Sequence, residues 1–143
     1  MPQQRVAVTG GSGRLGPYVV AELAGDYEVA VIDRAPPQDG AVDYIEADVT
    51  DYDSMCSALA GCAAVVHLAA VPNPRTSDPQ TCFRVNTLGT WATLQAAEDR
   101  GLRRAVASSA KAAARRRAAR TARSRRPCAT ARQPTGRART SLQ

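Results

Sequence analysis

A glycine-rich turn between a short apolar run and an amphipathic segment constrains the fold more than any other feature of this sequence. The turn lies in RVAVTGGSGRLG, residues 5–16. The apolar, β-branched residues 5–9 before the glycines predict a buried strand, and the apolar spacing of residues 15–24 predicts a helix that Gly25 ends. A strand that passes directly into a helix is typical of proteins in which helices cover a sheet.

Strands and helices continue to alternate over the first 110 residues. The other strands are predicted at residues 28–33, 42–47, 63–70 and 103–109, and the other helices at residues 51–60, capped by Asp51, and from Pro79 to about Arg100, before Gly101. Nearly every strand position is apolar, which indicates parallel strands covered on both faces and joined by right-handed crossovers. The sequence predicts an α/β fold, a Rossmann-like doubly wound parallel sheet of about five strands.

The spacing of the glycines predicts a phosphate-binding turn. In Gly10-x-x-Gly13-x-x-Gly16, the first glycine would allow a tight turn, the second would let the backbone approach a pyrophosphate, and the third would let the helix pack closely on the strand. The helix that follows offers N–H donors and the positive end of its dipole. We expect these glycines, with Arg14 and Leu15, to bind a dinucleotide; a simple turn is the alternative.

The end of the second predicted strand indicates which dinucleotide binds. A carboxylate at Asp33, 23 residues after Gly10, can accept hydrogen bonds from both adenosine ribose hydroxyls and would repel a 2′-phosphate, which favours NAD. The neighbouring Arg34 weakens this preference, because an arginine there can bind the 2′-phosphate of NADP. We expect NAD, with NADP as the second candidate; a solvated Asp-Arg pair at a strand end is the alternative.

The histidine and cysteine content argues against a metal site. His67 is the only histidine, and Cys56, Cys62, Cys82 and Cys128 have no paired metal-ligand spacing. We expect a hydrogen-bonded histidine at a strand end and reduced thiols in a cytoplasmic protein. No stretch approaches the roughly 20 apolar residues of a membrane span, and the N-terminus lacks the apolar core of a leader, so no membrane partner is expected.

Five motifs occur together in the order and spacing of a known family. They are VTGGSGRLG, VID, EADVTD, VVHLAA and VNTLGT. With them the chain resembles the extended short-chain dehydrogenases/reductases, the NAD-dependent epimerase/dehydratase group. The resemblance covers residues 5–110, which correspond to the N-terminal part of the family only.

The resemblance implies cofactor contacts outside the glycine turn and Asp33. Asp48 and Val49 would flank the adenine. Leu68, Ala69 and Ala70 would line the cofactor beneath the fourth strand. Asn86 matches the family's helix asparagine. The alternatives are an aspartate that caps a turn and an ordinary buried strand.

The catalytic residues that the resemblance implies are incomplete. Family members oxidise or epimerise a sugar nucleotide or similar hydroxyl compound: the tyrosine of a Tyr-x-x-x-Lys pair takes the hydroxyl proton, a serine or threonine polarises the substrate oxygen, and hydride passes to the nicotinamide. Ser109 matches the serine. Tyr52 is the last tyrosine and Lys111 the only lysine, so the pair is absent. We expect cofactor binding without significant turnover.

The composition changes at residue 110. Residues 1–110 carry eight arginines and 13 acidic residues, whereas residues 111–143 carry ten arginines, one lysine and no acidic residue, for net charges of −5 and +11. The second segment contains no Val, Ile, Phe, Tyr, Trp or Met, so it cannot bury enough apolar surface to offset the entropy cost of folding. We predict an NAD(P)-binding domain over residues 1–110 and a disordered basic tail over residues 111–143. We expect the family's substrate domain to be missing.

Two explanations of the basic tail are open. Its cations could bind nucleic acid non-specifically through phosphates, although no aromatic residues are interleaved for base stacking. Alternatively, the tail is the product of a reading-frame shift in G+C-rich coding DNA, which is favoured because the change directly follows a family motif and the tail is rich in Ala, Arg, Pro, Gly and Thr. The nucleotide sequence around codon 110 distinguishes the two.

A non-catalytic module that senses a dinucleotide or docks on a partner is the alternative function of the whole chain.

Overall fold

The structure, a computed structural model, describes residues 3–38, 40, 42–72 and 77–108. Its centre is a parallel sheet with strands β1 (Arg5–Thr9), β2 (Glu28–Asp33), β3 (Asp43–Glu46), β4 (Ala64–His67) and β5 (Arg104–Ala107). The strand order is β3-β2-β1-β4-β5. The sheet extends from β1 through β2 and β3 on one side and through β4 and β5 on the other, so the strand order reverses between β1 and β4 while all strands stay parallel. The predicted α/β, Rossmann-like parallel sheet is confirmed.

Helical segments connect the strands. α1 (Gly16–Leu23) follows β1, and α2 (Tyr52–Ala58) follows β3. Between β4 and β5 lie α3 (Pro79–Phe83), a π-helical segment (Arg84–Gly89) and α4 (Thr90–Asp99). The helical region predicted from Pro79 to about Arg100 is confirmed, with a π-helical segment in its middle. A single wider turn changes the apolar periodicity too little to be recognised in a sequence.

Of the three residues predicted to begin or end a helix, two act as expected. Asp51 caps α2, because its side chain accepts hydrogen bonds from two backbone N–H groups of the first turn. Gly101 follows α4 with φ of +69°, in the left-handed conformation that favours glycine. Gly25 does not act in this way, because α1 ends two residues earlier with a C-cap, Ala24, that keeps helical dihedrals.

The fourth strand is shorter than predicted. β4 ends at His67 instead of residue 70, although the N–H of Leu68 still donates to the carbonyl of Thr9 at 2.9 Å. Ala69 and Ala70 then leave the sheet. The backbone of Ala69 lies against the glycine turn after β1, since a Cβ on Gly10 would lie 2.5 Å from its nitrogen.

Helices cover both faces of the sheet, as the apolar strands predicted. On one face, α2 and α4 pack through a cluster that includes the fully buried side chains of Met55, Leu59 and Ala96. On the other face, Val20 of α1 packs against valines of β1 and β2. Within the described ranges, no helix combines the length and apolar character needed to cross a membrane.

The described part of the chain ends just after β5. All four residues of this strand are exposed, and Val106 is 59% exposed. Ser109 and the predicted tail, residues 111–143, lie outside the described residues, so the domain boundary near residue 110 stays a prediction.

Candidate functional site

The carboxyl ends of β1 and β4 are adjacent at the point where the strand order reverses, the position at which open α/β sheets bind ligands. Gly10 follows β1 with φ of +69°. A Cβ on Gly10 would lie 2.5 Å from the backbone nitrogen of Ala69, so only glycine lets the turn lie against the segment after β4. The glycine turn and residues 68–70 therefore form one surface.

The first turn of α1 has no side-chain acceptor of its own. Its N-cap, Leu15, makes no side-chain hydrogen bond, and no acidic residue lies in the first turn, whereas Asp51 and Asp78 cap α2 and α3. Gly16 allows α1 to start this close to the turn, because a Cβ there would lie 1.8 Å from the carbonyl oxygen of Gly11. The start of α1 is the kind of helix N-terminus that binds an anion.

Gly13, Arg14 and Leu15 are exposed at this helix start. The N–H of Gly13 donates to the carbonyl of Gly10 at 3.0 Å, which closes the turn. A Cβ on Gly13 would meet only that carbonyl oxygen, at 3.1 Å. The fold itself therefore restricts residue 13 less severely than Gly10 or Gly16.

Asp33 lies at the end of β2 and is held against the glycine turn. Its carboxylate accepts hydrogen bonds from the backbone N–H groups of Ser12 at 3.1 Å and Arg34 at 2.7 Å. The Ser12 hydroxyl donates to the carbonyl of Ala35 at 2.6 Å, so the turn and the end of β2 are joined twice. Ser12 is not among the predicted site residues, since a small polar residue between glycines has no distinctive spacing.

Asp48 lies in a small pocket of about 140 Å³ that Arg34 and Arg84 also line. Burial opposes its ionisation, but two hydrogen bonds from Thr50 and the positive charges of both arginines outweigh burial, so the pKa of Asp48 is lowered. Val49, predicted beside it, has its side chain in the core and is 7% exposed. A larger open cavity of about 430 Å³ between β3 and α2 contains none of the predicted site residues.

Asn86, in the π-helical segment, reaches the site through the backbone of Val71. Its Oδ1 accepts from the N–H of Val71 at 2.7 Å, and its Nδ2 donates to the carbonyl of the same residue at 3.1 Å. Asn86 thus fixes the far end of the segment that starts with the half-buried Leu68 and Ala69 and continues with the exposed Ala70.

His67 is buried at the end of β4 with partners on both ring nitrogens. Its Nδ1 lies 2.7 Å from Thr9 Oγ1 and its Nε2 lies 3.1 Å from Thr90 Oγ1, and the residue is 2% exposed. The predicted hydrogen-bonded strand-end histidine is confirmed. Among the residues that the structure describes, no group of three or more His, Cys, Asp or Glu is placed to hold a metal ion.

Acidification is expected to destabilise the fold through His67. Burial lowers its pKa below the ordinary value of 6.5, so the unfolded chain binds a proton at pH values where the folded chain does not. The contribution of His67 to the free energy of unfolding is fully present above the pKa of the unfolded chain. It is lost as the pH falls from about 6.5 toward the pKa of the folded chain, and the free energy of unfolding then changes by at most about 1.4 kcal/mol per pH unit.

Urea unfolding at a series of pH values measures this slope. The His67→Asn variant has no histidine, so its free energy of unfolding should lack this dependence on pH. A wild-type free energy of unfolding that stays constant between about pH 7 and pH 5 would contradict the prediction.

Comparisons with known proteins show the family to which the chain belongs. The sequence model of the NAD dependent epimerase/dehydratase family matches residues 6–137. The chain belongs to this family. The matched range extends past residue 110, beyond the motifs recognised in the sequence.

Individual members of the family resemble the chain over its N-terminal part. It is 38% identical to the L-arabinose 1-dehydrogenase (NAD(P)(+)) of Haloferax volcanii over 93 residues, which are 65% of this chain and 35% of that protein. It is 36% identical to the NAD-dependent glucose-6-phosphate dehydrogenase of the same organism over 114 residues, 74% of this chain and 43% of that protein.

A solved structure is likewise similar to the chain over only part of its length. MoeE5 in complex with UDP-glucuronic acid and NAD superimposes with a TM-score of 0.66 at 30% identity, covering 73% of this chain and 36% of that one. The chain therefore spans less than half the length of each of these three proteins.

Proposed function

We propose that this domain binds NAD in the crevice at the carboxyl ends of β1, β2 and β4. The observation that carries the proposal is the convergence there of the glycine turn, the start of α1 without a side-chain cap, and the carboxylate of Asp33. Backbone N–H donors and a helix dipole favour a pyrophosphate. A carboxylate favours ribose hydroxyls, which donate hydrogen bonds to it.

The other predicted residues extend this proposal along the crevice. Arg14 and Leu15 lie at the helix start, where the pyrophosphate would bind. Asp48 lines the pocket that would take the adenine end, and residues 68–70 would line the cofactor beneath β4. Asn86 would act indirectly, because its side chain holds the backbone of Val71.

The preference for NAD over NADP is expected to depend on Asp33. Asp33→Asn keeps an oxygen that can accept from the N–H of Ser12, but it removes the negative charge that would repel a 2′-phosphate. Calorimetric titration should show tighter binding of NAD than of NADP by the wild type. The variant should reduce that ratio about tenfold, which corresponds to about 1.4 kcal/mol.

Asp26→Asn is the matched control for this charge change. Asp26 is exposed in the turn between α1 and β2, at the opposite end of β2 from Asp33, so its replacement should leave the ratio unchanged. Tighter binding of NADP than of NAD by the wild type would mean that Arg34 decides the selectivity and that the role given to Asp33 is wrong.

For the chemistry, we propose a sugar or a sugar nucleotide as the substrate class. The two related dehydrogenases are named for L-arabinose and glucose-6-phosphate, and MoeE5 was solved in complex with UDP-glucuronic acid. Bound NAD would supply the hydride acceptor. Ser109 would polarise the substrate oxygen, but the sequence has no tyrosine after Tyr52 to take the hydroxyl proton. We therefore propose cofactor binding without turnover by this chain.

Titration of the 143-residue chain with NAD, followed by an assay for NADH with L-arabinose and glucose-6-phosphate, separates the alternatives. Binding without NADH formation is the expected result. Absence of binding at millimolar NAD would overturn the proposed function, and NADH formation would overturn the inactivity. A dinucleotide-sensing or docking role remains compatible with the expected result, whereas salt-dependent DNA binding would support the basic-arm explanation of the tail.

A further inference from the structure

A series of hydrogen bonds runs beneath the segment that follows β4. Thr9 Oγ1 lies 3.5 Å from the backbone nitrogen of Ala69 and 2.7 Å from Nδ1 of His67. On the other side of the ring, Nε2 lies 3.1 Å from Thr90 Oγ1, which lies 3.0 Å from the carbonyl oxygen of Asn86. This series connects β1 and β4 with the π-helical segment through the only histidine of the chain.

The direction of these bonds follows from the number of hydrogens available. A hydroxyl has one hydrogen, and that of Thr90 is donated to the carbonyl of Asn86, because a carbonyl can only accept. Toward His67, Thr90 Oγ1 must therefore accept, so Nε2 carries the ring proton. The ring is 2% exposed, which favours its neutral form. Nδ1 of a neutral Nε2–H ring is an acceptor.

The hydroxyl of Thr9 has a fixed direction for the same reason. It donates to Nδ1, which leaves its oxygen lone pairs toward the N–H of Ala69. A second proton on Nδ1 would turn the Thr9 hydroxyl hydrogen toward that N–H, so that two donors would face each other. The neutral Nε2–H tautomer is thus the one form of the ring that satisfies every group in the series.

The segment above the ring is held at both of its ends. Ala69 is attached to the series through Thr9, and Val71 is attached through both backbone groups to the side chain of Asn86. His67 lies between the two attachments. Residues 68–70 are those expected to line the cofactor, so the ring joins the cofactor-lining segment to the helix that follows it.

Among the described residues, burial alone is the cause that shifts the pKa of this ring, and no charged group contributes. The elements packed around it contribute Thr9 from β1, Thr90 from α4, and the backbone just after β5, where the N–H of Ser108 donates to the His67 carbonyl at 3.0 Å. In the part of the chain that the structure describes, burial is the cause that lowers the pKa of His67.

We propose that His67, as the neutral Nε2–H tautomer, is a positioning residue that holds residues 68–71 in the conformation that receives the cofactor. The inference rests on the proposed NAD site and adds a regulatory property to it: protonation of the ring releases the segment and weakens cofactor binding. His67 touches no reacting atom in this account and acts through Thr9 and Thr90.

Thr90→Val breaks the series while keeping the shape of the side chain, and Thr90→Ser keeps the hydroxyl. Thr93→Val is the matched control. Thr93 lies on the same helix, is fully buried, and also donates to the carbonyl four residues earlier, that of Gly89, at 2.8 Å, without belonging to the series. A general weakening of α4 would therefore affect both valine variants alike.

The first measurement needs no cofactor. ¹⁵N NMR of the single imidazole should show the Nε2–H tautomer at neutral pH. Amide exchange of Ala69 and Val71 should be about tenfold faster in Thr90→Val than in the wild type, close to wild type in Thr93→Val, and restored in Thr90→Ser. An Nδ1–H tautomer or an imidazolium at neutral pH would overturn the proposal, as would equal acceleration in the two valine variants.

The second measurement is the affinity for NAD. We expect binding about fivefold weaker in Thr90→Val, unchanged in Thr93→Val and restored in Thr90→Ser, since one hydrogen bond is lost. Wild-type affinity should also fall as the ring becomes protonated, and Thr90→Val should show less of this pH dependence. Equal affinities of the two valine variants would overturn the cofactor-positioning role. If the wild type has the expected tautomer and the variants show the expected exchange pattern, but the wild type binds no NAD, the proposed function fails while the positioning of residues 68–71 stands.

Discussion

Gly16→Ala is expected to lower the free energy of unfolding by about 3 kcal/mol, or Tm by roughly 15 °C, and to abolish NAD binding. A Cβ at this position would lie 1.8 Å from the carbonyl oxygen of Gly11 and 2.3 Å from its carbonyl carbon. The glycine turn cannot move away from the new methyl group, because Gly11 is itself packed against the fully buried Val31, 2.8 Å from where its own Cβ would be. α1 must therefore shift away from the sheet, and its N-terminus would no longer face the ligand.

Thermal unfolding and NAD titration of Gly16→Ala and Gly25→Ala provide the comparison. Gly25 lies just past the other end of α1, and a Cβ there meets nothing within 4 Å. The control should therefore match the wild type in both measurements. If Gly16→Ala melts within a few degrees of the wild type, the close contact between α1 and the turn is not a requirement of the fold.

Gly13→Ala is expected to weaken NAD binding about 100-fold, equivalent to about 2.7 kcal/mol, with little change in Tm. The methyl group would lie 3.1 Å from the carbonyl oxygen of Gly10, a tight contact that a small shift relieves, and residue 13 is exposed. Its effect on the fold is therefore small. In the proposed complex, however, the methyl group would occupy the space through which the pyrophosphate approaches the backbone.

The pair of measurements separates this effect from misfolding. A wild-type Tm together with lost affinity supports a phosphate-binding turn, and Gly25→Ala again serves as the control. Unchanged affinity in Gly13→Ala would show that the glycine sequence makes a turn and nothing more.

The elements predicted best are those whose signals lie within a few neighbouring residues. β1 and β2 have the predicted bounds, because apolar, β-branched runs are interrupted directly by glycines or by polar residues. Asp51 caps α2 because an aspartate side chain can reach the N–H groups of the next turn wherever the rest of the chain lies. Local sequence suffices for such elements.

The departures from the predicted elements occur where distant parts of the chain meet. β4 stops at His67, and the backbone of Ala69 then lies against the turn after β1. The region from Pro79 to Arg100 contains a π-helical segment, in which Asn86 turns its side chain to the backbone of Val71. Neither partner is near in sequence, so neither outcome has a periodic signal.

The family, the parallel sheet and the glycine turn follow from the amino-acid sequence alone, since each is encoded in short motifs or in the spacing of apolar residues. The way in which the site is held together depends instead on contacts that form in the folded chain. Asp33 meets Ser12 across 21 residues, and His67 meets Thr9 across 58 and Thr90 across 23. Such contacts depend on which strands lie side by side and on which groups are buried without water, so a buried donor or acceptor must find its partner in the fold and not in the neighbouring sequence.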